Sequence, residues 1–248
     1  MKSALVAGLA LLATVQLSPA QANDMPADVS IKGDYARVFM YLGDRLRRIR
    51  PLAENCRQET REWAATVEAD EKSKLGAPLA KPVEFGRRYD ISSITGGKRY
   101  VSVVRMTGAD IDGVYNAIEE ITFLWDSRGN QRISLAGFFS ETTDGGRAMT
   151  RLLTEATNGL VEQIGKARAA DAVSTLRPAL TQMGPISLAP STTDGKSSGL
   201  NFHFAVPAPG IFHLKPIVVF VPWTRFKGYL SPHGRSIFGG KWRDRYIW

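Results

Sequence analysis

Cysteine and histidine are scarce in this sequence, which limits the sites that it can build. Cys56 is the one cysteine among 248 residues, which excludes both an intramolecular disulfide and a cysteine-based zinc site. The histidines are His203, His213 and His233. The first two fall on predicted neighbouring strands, where they could face each other. The sequence has no Asp or Glu between Gly195 and Trp242, which argues against a local metal site or acid–base pair. We therefore expect neither a metal nor another cofactor.

Catalytic motifs are also absent from the sequence. It contains no G-x-S-x-G turn of the kind that presents a nucleophilic serine. Gly96-Gly97-Lys98 lacks the spacing of a phosphate-binding loop and predicts a hairpin turn instead. A glycan-cleaving enzyme would need two carboxylates facing one cleft. Asp110, Glu119, Glu120 and Glu141 are the candidates for such a pair, but no spacing singles one out, so we expect a protein that is not an enzyme.

Long apolar runs are missing except at the start of the chain. Residues 1–22 have a positive Lys2, an apolar stretch and the small residues Ala20 and Ala22, the pattern of a secretory signal peptide. The stretch is shorter than the roughly 20 residues of a spanning helix. We predict cleavage after Ala22 and a periplasmic or secreted protein without a membrane span. The net charge is +8, and loss of Lys2 would leave it at +7.

Hydrophobic periodicity predicts an α+β fold with antiparallel sheets packed against a few helices, in two interlocked subdomains. A polar leader over Asn23–Gly33 precedes the first predicted strand. Strands are predicted over 35–42, 85–94, 100–106, 115–126, 131–135, 186–189, 200–206 and 212–221. Helices are predicted over 51–74, 145–169, 171–183 and 224–230. We divide the chain into a signal peptide (1–22), an N-terminal subdomain (23–139), a C-terminal subdomain (140–240) and a basic aromatic tail (241–248).

The C-terminal quarter of the chain is strongly basic. From residue 195 to residue 243 there is no acidic side chain, while basic residues continue throughout. Such a surface attracts polyanions through its summed field, and aromatic side chains among the cations can stack on sugar rings. The predicted ligand-binding residues are Arg225, Lys227, Lys241, Trp242, Arg243 and Arg245. In an exported protein, cell-wall glycan or another envelope polyanion is the expected partner, and cytoplasmic nucleic acid is excluded by compartment.

Several short motifs resemble the RsiV/PdaC-like extracytoplasmic domain family. They are Gly199-Leu200-Asn201-Phe202-His203-Phe204, then Ile217–Trp223, then Phe226-Lys227-Gly228-Tyr229-Leu230, with Arg99–Val103 and Thr122–Gly129 upstream. The resemblance spans roughly residues 34–239. It implies the fold and a free-standing sensing or binding module. The turn at 206–215 lacks the tyrosine typical of the family.

Two further functions remain open at this stage. The resemblance implies lysozyme, or another envelope protein, as a possible partner. A cationic lysozyme would be repelled by a basic chain unless an acidic patch compensated. Asp110, Asp112, Glu119 and Glu120 are the candidates for that patch. The other alternative is an enzyme that acts on cell-wall glycan.

Overall fold

The computed structural model describes residues 26–78, 81–111, 114–141, 146–175, 185–208 and 211–242. From Ala27 onward these residues pack as one compact unit, built from a six-stranded sheet, a three-stranded sheet and helices. The predicted α+β class is confirmed. Among the described residues, no helix is both long and apolar enough to cross a bilayer.

The six-stranded sheet contains the first six strands in chain order. They are β1 (Val29–Lys32), β2 (Ala36–Leu42), β3 (Val83–Thr95), β4 (Tyr100–Ile111), β5 (Val114–Asp126) and β6 (Gln131–Ile133). The predicted strands over residues 35–133 are confirmed, whereas β1 lies where a polar leader was expected. Neighbouring strands are antiparallel, except that β2 and β3 are parallel. The expectation of purely antiparallel sheets is therefore wrong at this pair, because a long helix joins the two strands as a crossover.

That crossover contains the short helix α1 (Asp44–Arg47) and the long helix α2 (Arg50–Leu75). Pro51 lies in the first turn of α2, where its missing N–H costs nothing. The helix ends at Gly76, whose φ of 68° favours glycine. The buried stripe of α2 is Leu52, Ala53, Cys56, Thr60, Ala64 and Val67. This stripe packs on the six-stranded sheet and confirms the predicted helix.

The second sheet is antiparallel and contains β7 (Ile186–Ala189), β8 (Gly199–Ala208) and β9 (Ile211–Pro222), in that order. Its outer edge, β7, is hydrogen-bonded to hydroxyl groups of the larger sheet. Ser93 Oγ donates to the Leu188 carbonyl over 2.6 Å, and the Leu188 N–H donates to Ser102 Oγ over 3.0 Å. Thr122 Oγ1 donates to the Ile186 carbonyl over 2.7 Å. The larger sheet therefore satisfies backbone groups that an edge strand would otherwise leave unpaired.

Two helices cover the second sheet, and their boundary differs from the prediction. Helix α3 (Arg147–Ile164) ends at Gly165, and α4 (Lys166–Thr175) follows. The predicted single helix to Ala169 is wrong because Gly165 has a φ of 81° and a ψ of 159°, a conformation that interrupts a helix. The end of the predicted helix over 171–183 lies outside the described residues.

The segment after β9 also differs from the prediction. In place of one helix over 224–230, two 3₁₀ turns occupy Trp223–Arg225 and Lys227–Tyr229. A further helix, α5 (Pro232–Ile237), follows them. Neither α5 nor α1 was predicted, because each is too short to show a hydrophobic period.

Candidate functional site: a basic pocket beside the last helix

An open pocket of about 500 Å³ lies where the 3₁₀ turns meet the loop before β8. Its lining residues are Lys196, Trp223, Lys227, Gly228, Leu230, Arg235, Phe238 and Gly239. The volume is within the range of small-ligand sites. Three cationic side chains and two aromatic side chains therefore share one concave surface, which we call the basic pocket.

Helix α5 is held firmly beside this pocket. Ser231 caps its N-terminus: the Gly234 N–H donates to Ser231 Oγ over 3.0 Å. Ser231 Oγ in turn donates to the Gly137 carbonyl over 3.0 Å. Helix α5 packs against a 3₁₀ turn over Ala136–Phe138. A Cβ at Gly234 would lie 2.0 Å from the Phe138 carbonyl oxygen, so this close approach requires glycine. These contacts fix the helix that presents Arg235.

The loop before β8 brings Lys196 to the same place. The Ser197 N–H donates to the Ile237 carbonyl over 2.8 Å. Lys196 Nζ donates to the Ser236 carbonyl over 2.5 Å. The Lys196 ammonium group is therefore fixed at the end of α5, although Lys196 lies about forty residues before that helix in the sequence. The pocket is consequently a product of tertiary structure.

The electrostatic character of the basic pocket is uniformly positive. No carboxylate lines it. Among the residues that the structure describes, Lys196, Lys227 and Arg235 form no ion pair. Uncompensated cations in a concavity concentrate anions. The partly exposed ring of Trp223 supplies apolar surface of the kind on which sugar rings stack, whereas Phe238 is 2% exposed and forms the floor of the pocket.

The structure brings together only part of the predicted ligand-binding set. Lys227 lines the pocket, whereas Arg225 lies outside it, with its Nε 3.5 Å from Glu155 Oε2. The exposed Lys241 is held through its backbone: its carbonyl accepts the Thr192 N–H over 3.0 Å. Arg243 and Arg245 lie outside the described residues.

Trp242 is partly covered by another ring. It stacks on Phe220, with ring centroids 3.9 Å apart, and remains 38% exposed. Lys196 and Arg235 belong to the basic stretch but were not predicted as binding residues. The sequence shows that residues 195–243 are basic, but it does not show that the loop containing Lys196 pairs with α5.

The expectation that His203 and His213 face each other is wrong. Val218 is the residue opposite His203 in the β8–β9 register. The His203 ring instead connects the two sheets: its Nδ1 is 2.5 Å from Glu120 Oε1, and its Nε2 is 2.8 Å from Ser187 Oγ. Glu120 lies 83 residues before His203, far outside the acid-free stretch of sequence that surrounds this histidine.

This Ser–His–Glu row is closed to solvent. Ser187 is 2% exposed and His203 is 3% exposed. The order of the three groups is that of a hydrolase triad, but a nucleophile needs access to substrate. The row instead supplies one hydrogen bond between the sheets, from His203 to Glu120, and one within the second sheet, between His203 and Ser187.

Two of the four carboxylates considered for a glycan-cleaving pair, Glu119 and Glu120, have separate partners. Glu119 and Glu120 are adjacent on β5 and point to opposite faces of the sheet. Glu119 Oε2 accepts from Arg105 Nη2 over 2.5 Å, whereas Glu120 binds His203. None of the four candidate carboxylates lines the basic pocket.

No protein-family model matches this chain, and no curated protein matches it. The solved structures to which the chain is similar include two bacterial proteins. One is a DUF3298 family protein from Pseudomonas aeruginosa, at 14% identity and a TM-score of 0.48, covering 88% of this chain and 99% of that chain. The other is a member of the DUF3298 family from Bacteroides fragilis, at 10% identity and a TM-score of 0.44, covering 84% of this chain and 94% of that chain.

Proposed function

We propose that this protein is an exported, non-catalytic module that binds anionic glycan of the cell envelope through the basic pocket. The observation that carries the proposal is the convergence of Lys196, Lys227 and Arg235 on one open concavity without a carboxylate. Export rests on the signal-peptide pattern of residues 1–22.

The pocket suits a sugar that bears a negative charge. Carboxylate or phosphate groups would accept hydrogen bonds from the three cations, and such charge-assisted bonds are the stronger ones. The aromatic side chain of Trp223 would contact the apolar face of the sugar ring. A polymer with repeated negative charges could occupy the pocket and extend towards Lys241 and Trp242.

The family proposal rests on the sequence motifs quoted above. We assign the chain to the RsiV/PdaC-like type, whose shared domain is DUF3298. The Gly199–Phe204 motif forms most of β8, and the Ile217–Trp223 motif forms the end of β9 and contributes Trp223 to the lining of the pocket.

Lysozyme is less suitable as a partner. The acidic patch that would attract it is weakened, because Glu119 is paired with Arg105 and Glu120 is buried against His203. Asp112 lies outside the described residues. The net charge of +7 that remains after loss of Lys2 would slow association with a cationic protein.

Co-sedimentation with purified peptidoglycan sacculi tests the proposal. We expect the protein to pellet with sacculi at low salt and to be released at about 0.5 M salt, because exposed charge–charge attraction is screened over a few ångströms there. Lys227→Ala/Arg235→Ala should weaken binding by about tenfold or more, if each lost contact is worth roughly 1 kcal/mol.

Two controls make the result specific to the pocket. Arg61→Ala/Lys74→Ala removes the same charge from the surface of α2 and should leave most of the binding intact. Truncation after Gly240 removes the tail. If truncation abolishes binding while the pocket variant retains it, the tail is the binding element and the pocket assignment is wrong. Capture of lysozyme without binding to sacculi would replace the proposal by the protein-binding alternative.

A further inference from the structure

A second group of cationic side chains lies between α2 and the six-stranded sheet, far from the basic pocket in sequence. Arg87 on β3 is directly opposite Thr107 on β4, and Tyr89 is opposite Arg105. Directly opposite residues share one face of a sheet, so these four side chains form one patch. All of it is buried: Arg87 and Thr107 are 5% exposed and Arg105 is 7% exposed.

The negative charges near this patch are taken by other arginines. Glu59 on α2 accepts from Arg105 Nη1 and from Arg132 Nη2, the latter over 2.6 Å. Glu119, at the exposed edge of the patch, accepts from Arg105 Nη2 over 2.5 Å. Arg105 and Arg132 therefore occupy both carboxylates, and with Arg87 the cluster has three positive charges against two negative charges. Arg87 has no ion pair with a described carboxylate and is the uncompensated charge.

The hydrogen-bonding groups of Arg87 are also incompletely used. Its Nε and Nη1 are buried without a protein hydrogen-bond partner, as are Thr107 Oγ1 and Arg105 Nε. The Trp63 ring lies over the guanidinium at 3.7 Å, which is a favourable contact but not a counter-ion. Burial and the nearby Arg105 charge lower the pKa of Arg87 by more than the Glu59 charge and a hydrogen bond to Tyr89 raise it, which agrees with an excess of positive charge at this site.

We propose that this patch, Arg87 with Thr107 and Arg105, binds a small oxyanion of the phosphate or sulfate class between α2 and the sheet. The anion compensates the Arg87 charge and accepts hydrogen bonds from its free nitrogens and from the Thr107 hydroxyl. Buried unsatisfied donors are rare in native proteins, and a bound ion is one of their established explanations. The free nitrogens are fully covered, so binding shifts the half-buried Trp63 side chain. This site is separate from the basic pocket and does not depend on its function.

Thermal unfolding in inorganic phosphate, with chloride-matched ionic strength, tests the proposal. A ligand at about a hundred times its Kd should raise the Tm of a protein of this size by about 5–10 °C. Arg87→Met should abolish the phosphate-dependent rise. Without phosphate, Arg87→Met should have a Tm equal to or above that of the wild type, since it removes an unpaired buried charge. Lys227→Ala/Arg235→Ala should retain the rise, which separates this site from the basic pocket.

A nearly isosteric variant keeps the test decisive if Arg87→Met does not fold. Thr107→Val removes one hydroxyl and should reduce the rise in Tm by about half. An equal rise in wild type and Thr107→Val, or no rise beyond that in chloride, overturns the proposal. A phosphorylated monosaccharide, tested in parallel, identifies the source: stabilisation by both compounds indicates a phosphate carried on a sugar, and stabilisation by inorganic phosphate alone indicates a free anion.

Discussion

Buried polar side chains of this protein take their partners from distant parts of the chain. The Glu120–His203 contact joins the two sheets, and the Glu59–Arg132 contact joins α2 to β6. Each such contact satisfies a group that would be costly to leave unpaired in the interior. Cys56 lacks such a role: it is fully buried and free, and burial raises its thiol pKa to about 12. A buried thiol with a raised pKa is chemically inert.

Replacement of Glu120 by Ala should destabilise the fold. The change leaves the buried His203 Nδ1 without its hydrogen-bond partner. An unsatisfied buried polar group costs about 1–3 kcal/mol of folding free energy. Chemical denaturation of the variant measures the loss. Glu84→Ala is the matched control, because its ion pair with Arg37 at 3.6 Å is partly exposed and is worth about 0–1 kcal/mol. Equal losses in the two variants would contradict a structural role for the Glu120–His203 contact.

At the scale of elements, a glycine separates the two helices that cover the second sheet. Gly165 follows α3 with a φ of 81° and a ψ of 159°, a region that is essentially restricted to glycine. The turn lets α4 leave the axis of α3 and pack against β8. Helix propensity alone does not reveal such a break, because a lone glycine is tolerated inside many helices.

Gly165→Ala should therefore cost about 1–3 kcal/mol, since alanine cannot adopt this conformation without strain. Gly137→Ala is the control: Gly137 has no positive φ, and no atom lies within 4 Å of an added Cβ. The control should change stability by less than about 0.5 kcal/mol. Denaturant midpoints of the two variants make the comparison. A Gly165→Ala protein as stable as the control would mean that the break between α3 and α4 is not strained for alanine.

The sequence supports prediction of long elements better than prediction of the site. Strong periodicity located α2 and the long strands, while one-turn elements such as α1 and α5 were missed. The parallel β2–β3 pair follows from the crossover through α2, but strand direction has no signature in the strands themselves. The two candidate sites are harder to predict from the sequence. Lys196 reaches α5 because the neighbouring backbone pairs with that helix. Arg87 has no counter-ion because Arg105 and Arg132 bind the nearby carboxylates. These juxtapositions depend on tertiary structure.

At the scale of the whole molecule, ionised carboxylates connect separate elements. Asp28 binds Arg47 of α1, Glu59 of α2 binds Arg132, and Asp126 binds Arg99. For Asp28 and Glu59, burial is the largest single influence and would raise the carboxyl pKa, but hydrogen bonds and the charges of neighbouring arginines together outweigh it and the pKa is lowered. A carboxyl whose pKa is lower in the folded state stabilises the protein only while it is ionised. The chain is therefore expected to lose stability in acid.

Asp126 gives this expectation a defined pH window. Its Oδ1 accepts from Arg99 Nε over 2.9 Å, its Oδ2 accepts from Arg99 Nη2 over 2.7 Å, and its side chain is 8% exposed. The Arg99 hydrogen bonds lower the Asp126 pKa from 3.8 to about 2. The stabilisation is complete above the unfolded value near 4 and is lost as the pH falls towards about 2. It amounts to about 1–2 kcal/mol once partial exposure of Arg99 is allowed for.

Asp126→Asn should accordingly lower the free energy of unfolding by about 1–2 kcal/mol at pH 7 and should flatten its decline between pH 4 and pH 2. Urea denaturation at several pH values, at constant ionic strength, measures both effects. Asp90→Asn is the control, because the Arg88–Asp90 pair is about two-fifths exposed on each side and contributes little. The free energy of unfolding should depend on pH in the same way in wild type and Asp126→Asn above about pH 4, and the two slopes should diverge only below that pH. If the two proteins instead lose stability in parallel, the acid sensitivity resides in Asp28 and Glu59, and Asp126 acts through hydrogen bonds that asparagine also makes.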